Sequence, residues 1–425
     1  MLNNFSKEKS ACFVSYESFP DWTKEEIRQK VCRDLPVQYE HEGEHYCVLH
    51  FPQNDKLDDF ERTITGRKIN KLYDFRHAYF PEKYKLNLDE HKFETYADFE
   101  FCVFNDEASF VRTKFLNEAH FCSAKFKSDV TFRETTFEAG AYFDSTEFRK
   151  EGDFTNANFN ARFEIGKLSL KRDFQKVFST NESFLLLQHA RIEKPEKFVF
   201  YTVSLRPCWF IYVDSRKFNF GNIDWGKDLA ESSYIKAEIE NLKKLKVPNP
   251  QSFLIIACRQ LAENAEMNNR FEEASKFRQL AFETERFLRK EKQLEWWNEE
   301  IFTVEFPAKF WKKLKNAPFD FAYFLYRISS YYGESSSRAF KLLLSIIFLS
   351  SFFYWTPLSL FHETNNFRSL EFIEAISYSL RIMVLQRPEP FPANTFAKWV
   401  VALESIFAPL QAALLALAIR RKFMR

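Results

Sequence analysis

At 425 residues with 45% hydrophobic side chains, the chain has room for two or three domains with substantial cores, which excludes an intrinsically disordered tail. Lys plus Arg (61) nearly balances Asp plus Glu (59), so global charge gives no case for nucleic acid and none is expected as a partner. Seven Cys at irregular spacing, behind an acidic and polar N-terminus that does not read as a signal peptide, are expected to be reduced thiols in a cytosolic compartment.

Residues 1–90 are expected to form an N-terminal cap. They contain Cys12, Cys32, His45, Cys47 and His50. Thiolate and imidazole are the usual zinc ligands, but only Cys47 to His50 has a compact ligand interval and paired CxxC elements are absent. These residues therefore point first to a folded cover for the repeats that follow, with no metal and no cofactor expected.

Residues 91–226 carry a ladder. Phe99, Phe110, Phe121, Phe132, Phe143 and Phe154 recur every eleven residues, and Phe104, Phe115, Phe126, Phe137, Phe148 and Phe159 run alongside with the same period. Phe thus alternates at gaps of five and six. Two residues before most of them stands a small side chain: Ala97, Ala108, Ala119, Ala124, Ala141, Gly152 or Ala157. Neither the helical period nor simple strand alternation produces such spacing, whereas short strands joined by tight corners do, with one Phe per side filling a solenoid. All twelve Phe are expected in the core. Further pieces at Phe174, Phe178, Phe198, Phe200, Phe210, Phe218 and Phe220 suggest more coils, ending near Trp225.

A small residue two before a central Phe resembles the pentapeptide-repeat family, whose fold is a right-handed quadrilateral β-helix. Some relatives in that family mimic DNA with an acidic surface; here residues 91–165 hold 14 acidic against 9 basic side chains, too mild an excess for that role.

Residues 227–338 switch to helical composition and are expected to form a helical module and juxtamembrane linker, broken at Pro248 and Pro250. Apolar faces through Phe253, Ile256 and Leu261, and then Phe271, Ala274, Phe277, Leu280 and Ala281, suggest two packed antiparallel helices of tetratricopeptide type. Asn269 followed by Glu272 has the spacing of a capping box at the second helix start.

Residues 339–425 are expected to be a transmembrane domain. Leu342 to Phe361 and Trp399 to Ile419 are stretches long enough, at about 1.5 Å per residue, to cross a hydrocarbon core of about 30 Å. Arg338 and Lys341 before the first and the basic run from Arg420 to Arg425 after the second place both ends in the cytosol. Glu404 and Gln411 lie within the second stretch, where an ionisable group marks a bundle interior or pore. Glu404, Ala408, Ala412 and Ala416 are spaced by four, a small-residue face suited to helix packing. A homo-oligomer, with a tetramer as the first expectation, would give Glu404 a shared polar environment. Leu370 to Leu385 is too short to cross and suits a re-entrant helix; Arg381 and Arg387 would stand near a pore mouth.

Leu325-Tyr-Arg327, Tyr332-Gly-Glu334 and Arg338-Ala339, then Ala375 to Leu380, then Ala402-Leu-Glu404 through Arg425 together resemble a bacterial family that couples pentapeptide repeats to a two-helix, potassium-channel-like membrane domain. The resemblance extends to Arg259-Gln-Leu261 and Arg270 to Ala274, and it implies the inner membrane of a bacterium as location. One departure bears on mechanism. A potassium filter needs glycines, and Gly333 is the last glycine here, so potassium selectivity is not implied. Two functions follow as expectations: a pore without that filter, governed by a cytosolic sensor and an unknown protein or ligand, or a membrane-anchored interaction scaffold with a vestigial channel domain. No phosphate loop, GxSxG or HExxH occurs, so an enzyme is not expected.

Overall fold

The Phe ladder folds into four parallel sheets of four to six short strands each. The computed structural model describes residues 12, 35–167, 177–178, 183–226, 229, 231–300, 324–363 and 366–423. The chain divides into two compact units, Met1–Arg270 and Phe271–Arg425. This boundary falls inside the segment expected to form a single helical module.

In the first unit Ala97 pairs with Ala119, Ala119 with Ala141, and Ala141 with Phe163, so one coil takes 22 residues, two of the eleven-residue periods. The longest sheet has one strand per coil and six strands, which makes a solenoid of about six turns. Each Phe therefore meets the Phe 22 positions on. Phe99 stacks on Phe121 at 5.0 Å and Phe121 on Phe143 at 4.9 Å. Phe110 and Phe132 (4.8 Å), Phe104 and Phe126 (4.6 Å), and Phe115 and Phe137 (5.1 Å) make three further columns. Rings of adjacent columns meet edge to face, as Phe110 and Phe121 do at 88°, the geometry that the ring quadrupole favours. All twelve ladder Phe are buried.

The corners explain how this is done with so few glycines. Glu90, Phe101, Arg112, Ser123, Glu134, Ser145 and Asn156, eleven apart, all have φ between 56° and 58°. Each is the third residue of a turn closed by a backbone bond, such as Cys102 N–H to Phe99 O and Thr113 N–H to Phe110 O. These are type II turns, which ordinarily take Gly at that position. A side chain there costs on the order of 1 kcal/mol. Glu134 is exposed, so Glu134→Gly is expected to raise the unfolding free energy by up to about 1 kcal/mol and Glu134→Val to lower it, measured by denaturant titration. The residue after each corner points inward. Where it is Thr it bonds a carbonyl of the preceding coil: Thr113 to Leu88 O (2.7 Å), Thr135 to Phe110 O (2.6 Å) and Thr146 to Phe121 O (2.7 Å).

The solenoid begins earlier than residue 91. Tyr79–Phe80 and Leu86–Asn87 already pair into its sheets. The ladder is disguised there because Leu88 takes a Phe position and two extra residues fall between Phe80 and Leu88, so Phe75 stacks on Phe99 and Phe80 on Phe104. At the other end Phe178, Phe198, Phe200, Phe218 and Phe220 continue the core, and Ser204 bridges Asp224. Phe174 lies outside the described residues.

Both ends are covered. At the start, an antiparallel hairpin (Val37–His41 with Glu44–Cys47) and α1 (Leu57–Ile69) lie over the first coil, with Phe60 edge-on to Phe80 at 5.2 Å. At the far end come α2 (Ser232–Lys244) and α3 (Pro250–Met267). The fully buried Glu238 of α2 pairs with Arg206, and Asn264 of α3 donates to the carbonyls of Ser215, Arg216 and Phe218 in the last coil. Asn269 does not start a helix. At φ 57° it ends α3, with Asn269 N–H on Glu266 O and Arg270 N–H on Ala265 O, the Schellman pattern in which an Asn tolerates the left-handed position.

The second unit contains α4 (Phe271–Glu300), a helical stretch through 324–330, α5 (Ser336–Trp355), an antiparallel ribbon (Phe361–Glu363 with Asn366–Arg368), α6 (Phe372–Met383) and α7 (Thr395–Phe423). Two of these helices, α5 and α7, are long and apolar enough to cross a membrane. Large apolar side chains stand exposed on both, among them Phe348, Leu349, Phe352, Trp399, Ile406 and Leu410.

Candidate functional site: a buried carboxylate among three helices

Helix α7 meets its neighbours along a seven-residue repeat. Ala397, Glu404, Gln411 and Ala418 are buried, with Ala408 between them. Seven residues are nearly two turns, so these positions form one seam, as in a coiled coil. The four-residue series expected from the sequence drifts off that seam by about 40° per step. Ala408 is accordingly buried, Ala412 half-buried and Ala416 exposed. On α5 the buried residues include Ala339, Leu343, Ile347, Ser351 and Tyr354, of which Tyr354 bonds Glu404 and Ala339 O accepts from Gln411.

Glu404 is 2% exposed and lies where the three helices converge. Tyr354 of α5 donates its hydroxyl to Oε2 at 2.5 Å, and Ser379 of α6 donates its hydroxyl to Oε1. Tyr354 also packs edge-on against Phe361 and Tyr378 in a cluster with Leu370, Ala375 and Ile382. The carboxylate is thus satisfied within its own chain. Seven residues on, Gln411 donates to Ser329 O (3.0 Å) and Ala339 O (2.9 Å), closing the far end of the same seam, beside the start of α5. A groove of about 580 Å³ opens beside these two polar side chains, walled by Ile346, Leu349, Phe353, Leu403 and Phe407. Arg381 at the end of α6 and Arg387 in the Pro-rich segment are exposed, away from Glu404's hydrogen bonds. That segment returns to the end of α5, where His362 N–H meets Phe391 O and Ala393 N–H meets Leu360 O.

The sequence reading missed a joint at the base of the hairpin. Arg278 of α4 forms a two-point pair with Glu334 (2.6 and 3.0 Å), and Arg327 pairs with Glu283 of α4 at 2.5 Å. Both carboxylates are nearly inaccessible, and Tyr332 stacks on Phe282 between the pairs. The signal was available: Arg327, Tyr332 and Glu334 belong to the motifs before the first apolar stretch, and opposite charges recur at 278 and 283. Glu334→Ala removes the carboxylate partner of a largely buried guanidinium and is expected to cost about 2–3 kcal/mol, read by thermal unfolding in detergent; Arg278→Ala with Glu334→Ala together should cost less than the two singly.

Residues of the N-terminal cap also converge. Cys12, Cys47 and His50 are buried, with their donor atoms within 4.8 Å of one another, while Cys32 lies outside the described residues. The chain matches no family model, no curated protein and no solved structure among those compared with it.

Proposed function

We propose that the chain is a multi-pass protein of a bacterial inner membrane, of the pentapeptide-repeat type, in which a cytosolic solenoid governs a channel-like domain that lacks a potassium filter. In this reading the solenoid is right-handed, α5 and α7 span the bilayer with both termini cytosolic, and α6 is re-entrant. At about 18 Å for its 12 residues, α6 is too short to cross. The exposed apolar side chains of α5 and α7 support burial in lipid, since a water-soluble chain rarely leaves so continuous an apolar surface open. Subunits then assemble, a tetramer being the expectation, and the work of the protein is transport or membrane perturbation rather than catalysis.

The observation that carries this reading is Glu404. An ionisable side chain in the middle of a membrane helix is costly, and a plain anchor has no use for one. Here it joins three helices at one point, and the Arg278–Glu334 and Arg327–Glu283 pairs give α4 a stiff connection to the same hairpin. A movement of α4, driven by a cytosolic protein or ligand, would be passed to α5 through charged contacts rather than through a slack linker.

One observation favours the second reading, a membrane-anchored interaction scaffold. Glu404 finds its hydrogen bonds inside one chain, so the hairpin is complete without a neighbour. Ion flux through full-length protein in liposomes separates the two. The pore reading expects flux that disappears when residues 340–425 are replaced by an inert two-helix hairpin. Recruitment of a cytosolic partner that survives this replacement, with no flux from the intact oligomer, would support the scaffold instead.

A further inference from the structure

We propose that Cys12, Cys47 and His50 form a zinc site that staples the N-terminal segment to the cap of the solenoid. Cys47 closes the hairpin strand, and the chain turns at once: His50 N–H and Phe51 N–H both bond Cys47 O, which brings the ring of His50 back beside the Cys47 sulfur. His50 Nδ1 lies 3.2 Å from Cys47 Sγ and 3.4 Å from Cys12 Sγ. Tetrahedral zinc with ordinary Zn–S and Zn–N bonds sets sulfur and nitrogen about 3.6 Å apart, so a small outward adjustment admits the ion.

Three further features fit a metal better than a set of hydrogen bonds. His50 Nε2 is 2.8 Å from Arg76 O, and a carbonyl can only accept, so Nε2 carries a proton and a neutral ring turns its Nδ1 lone pair to the two sulfurs. A backbone carbonyl orienting a zinc-binding His in this way is the common outer-shell arrangement. Second, one Nδ1 can bond one sulfur well but not two, whereas a cation among the three atoms meets them all. Third, Cys47 N–H donates to Cys12 Sγ at 3.1 Å, a contact that suits a sulfur acting as thiolate.

The donor set selects the ion. Two thiolates and an imidazole without a carboxylate are a poor match for magnesium or calcium and a good one for zinc. Two thiolates also neutralise its charge, which a site with exposures of 9%, 0% and 6% requires. One of four tetrahedral positions is left to solvent or a further donor. The consequence is mechanical: the site links residue 12 to the 47–50 turn, and Tyr79 N–H on Leu49 O continues the link into the first coil.

Purified full-length protein is expected to contain one zinc per chain by elemental analysis, and Cys12→Ser and Cys47→Ser are each expected to lose it. Cobalt exchanged into the wild type tests the site without any variant having to fold, because two thiolate ligands give a sulfur-to-cobalt charge-transfer band in the near ultraviolet. Wild-type protein without zinc, whether Cys12 and Cys47 titrate as free thiols or as a disulfide, would overturn the proposal. So would zinc that survives both substitutions or a cobalt spectrum with no sulfur ligand.

Discussion

Glu404→Ala is expected to lower the stability of the helical hairpin by about 2–4 kcal/mol, because it removes the acceptor of buried hydroxyls, Tyr354 and Ser379 among them, and leaves a cavity where three helices meet. Glu404→Gln keeps one carbonyl acceptor and most of the volume, and should cost about 1 kcal/mol. Tyr354→Phe should fall near it, since only one of the donors to Glu404 is lost. The measurement is thermal unfolding in detergent, with flux recorded on the same preparations. A carboxylate that lined a shared aqueous pathway would behave otherwise: flux would change strongly while stability hardly moved. A stability loss below about 0.5 kcal/mol for Glu404→Ala would therefore remove this residue from the interior of the hairpin.

In the solenoid the largest effect is expected at the centre of a column. Phe121 stacks on Phe99 and Phe143 and meets Phe110 and Phe132 edge-on, so Phe121→Ala should cost about 3–5 kcal/mol. The loss should spread, because each coil is held chiefly by its neighbours and one weak coil divides the stack. Phe121→Leu keeps most of the volume and should cost about 1–1.5 kcal/mol. Phe220, near the last coil, should be less sensitive than Phe121, since it has coils on one side and Trp225 on the other. Denaturant unfolding in detergent checks this order, and equal costs at 121 and 220 would show that the columns do not share load.

Much of the solenoid was legible in the sequence because its period is written in one residue type. Phe at gaps of five and six, preceded by small residues, has few ways to be buried other than along the sides of a solenoid. The spacing by itself does not give the 22-residue coil, since an eleven-residue ladder is equally regular whether two or four sides close a turn; the four sides were an expectation from the resemblance to quadrilateral β-helices. Nor were the corners: Glu90, Phe101, Arg112 and their equivalents share a left-handed conformation but no side-chain chemistry, because the backbone bond, not a glycine, imposes it. The early start of the coils escaped notice because Leu88 replaces a Phe and two residues are inserted before it.

For the candidate sites the division lies between spacing and meeting. That Glu404 and Gln411 are polar intruders in an apolar helix, and that Cys47 and His50 are three apart, are properties of the sequence alone. Which partners they find is decided by contacts 25 to 82 residues away, such as Ser379 and Tyr354 on Glu404, Ser329 on Gln411, and Cys12 beside His50. Local periodicity cannot encode such distances. A strand or helix repeats its own geometry, so one chain determines which face is apolar, but a carboxylate or a thiol acquires its role only when packing brings other elements against it.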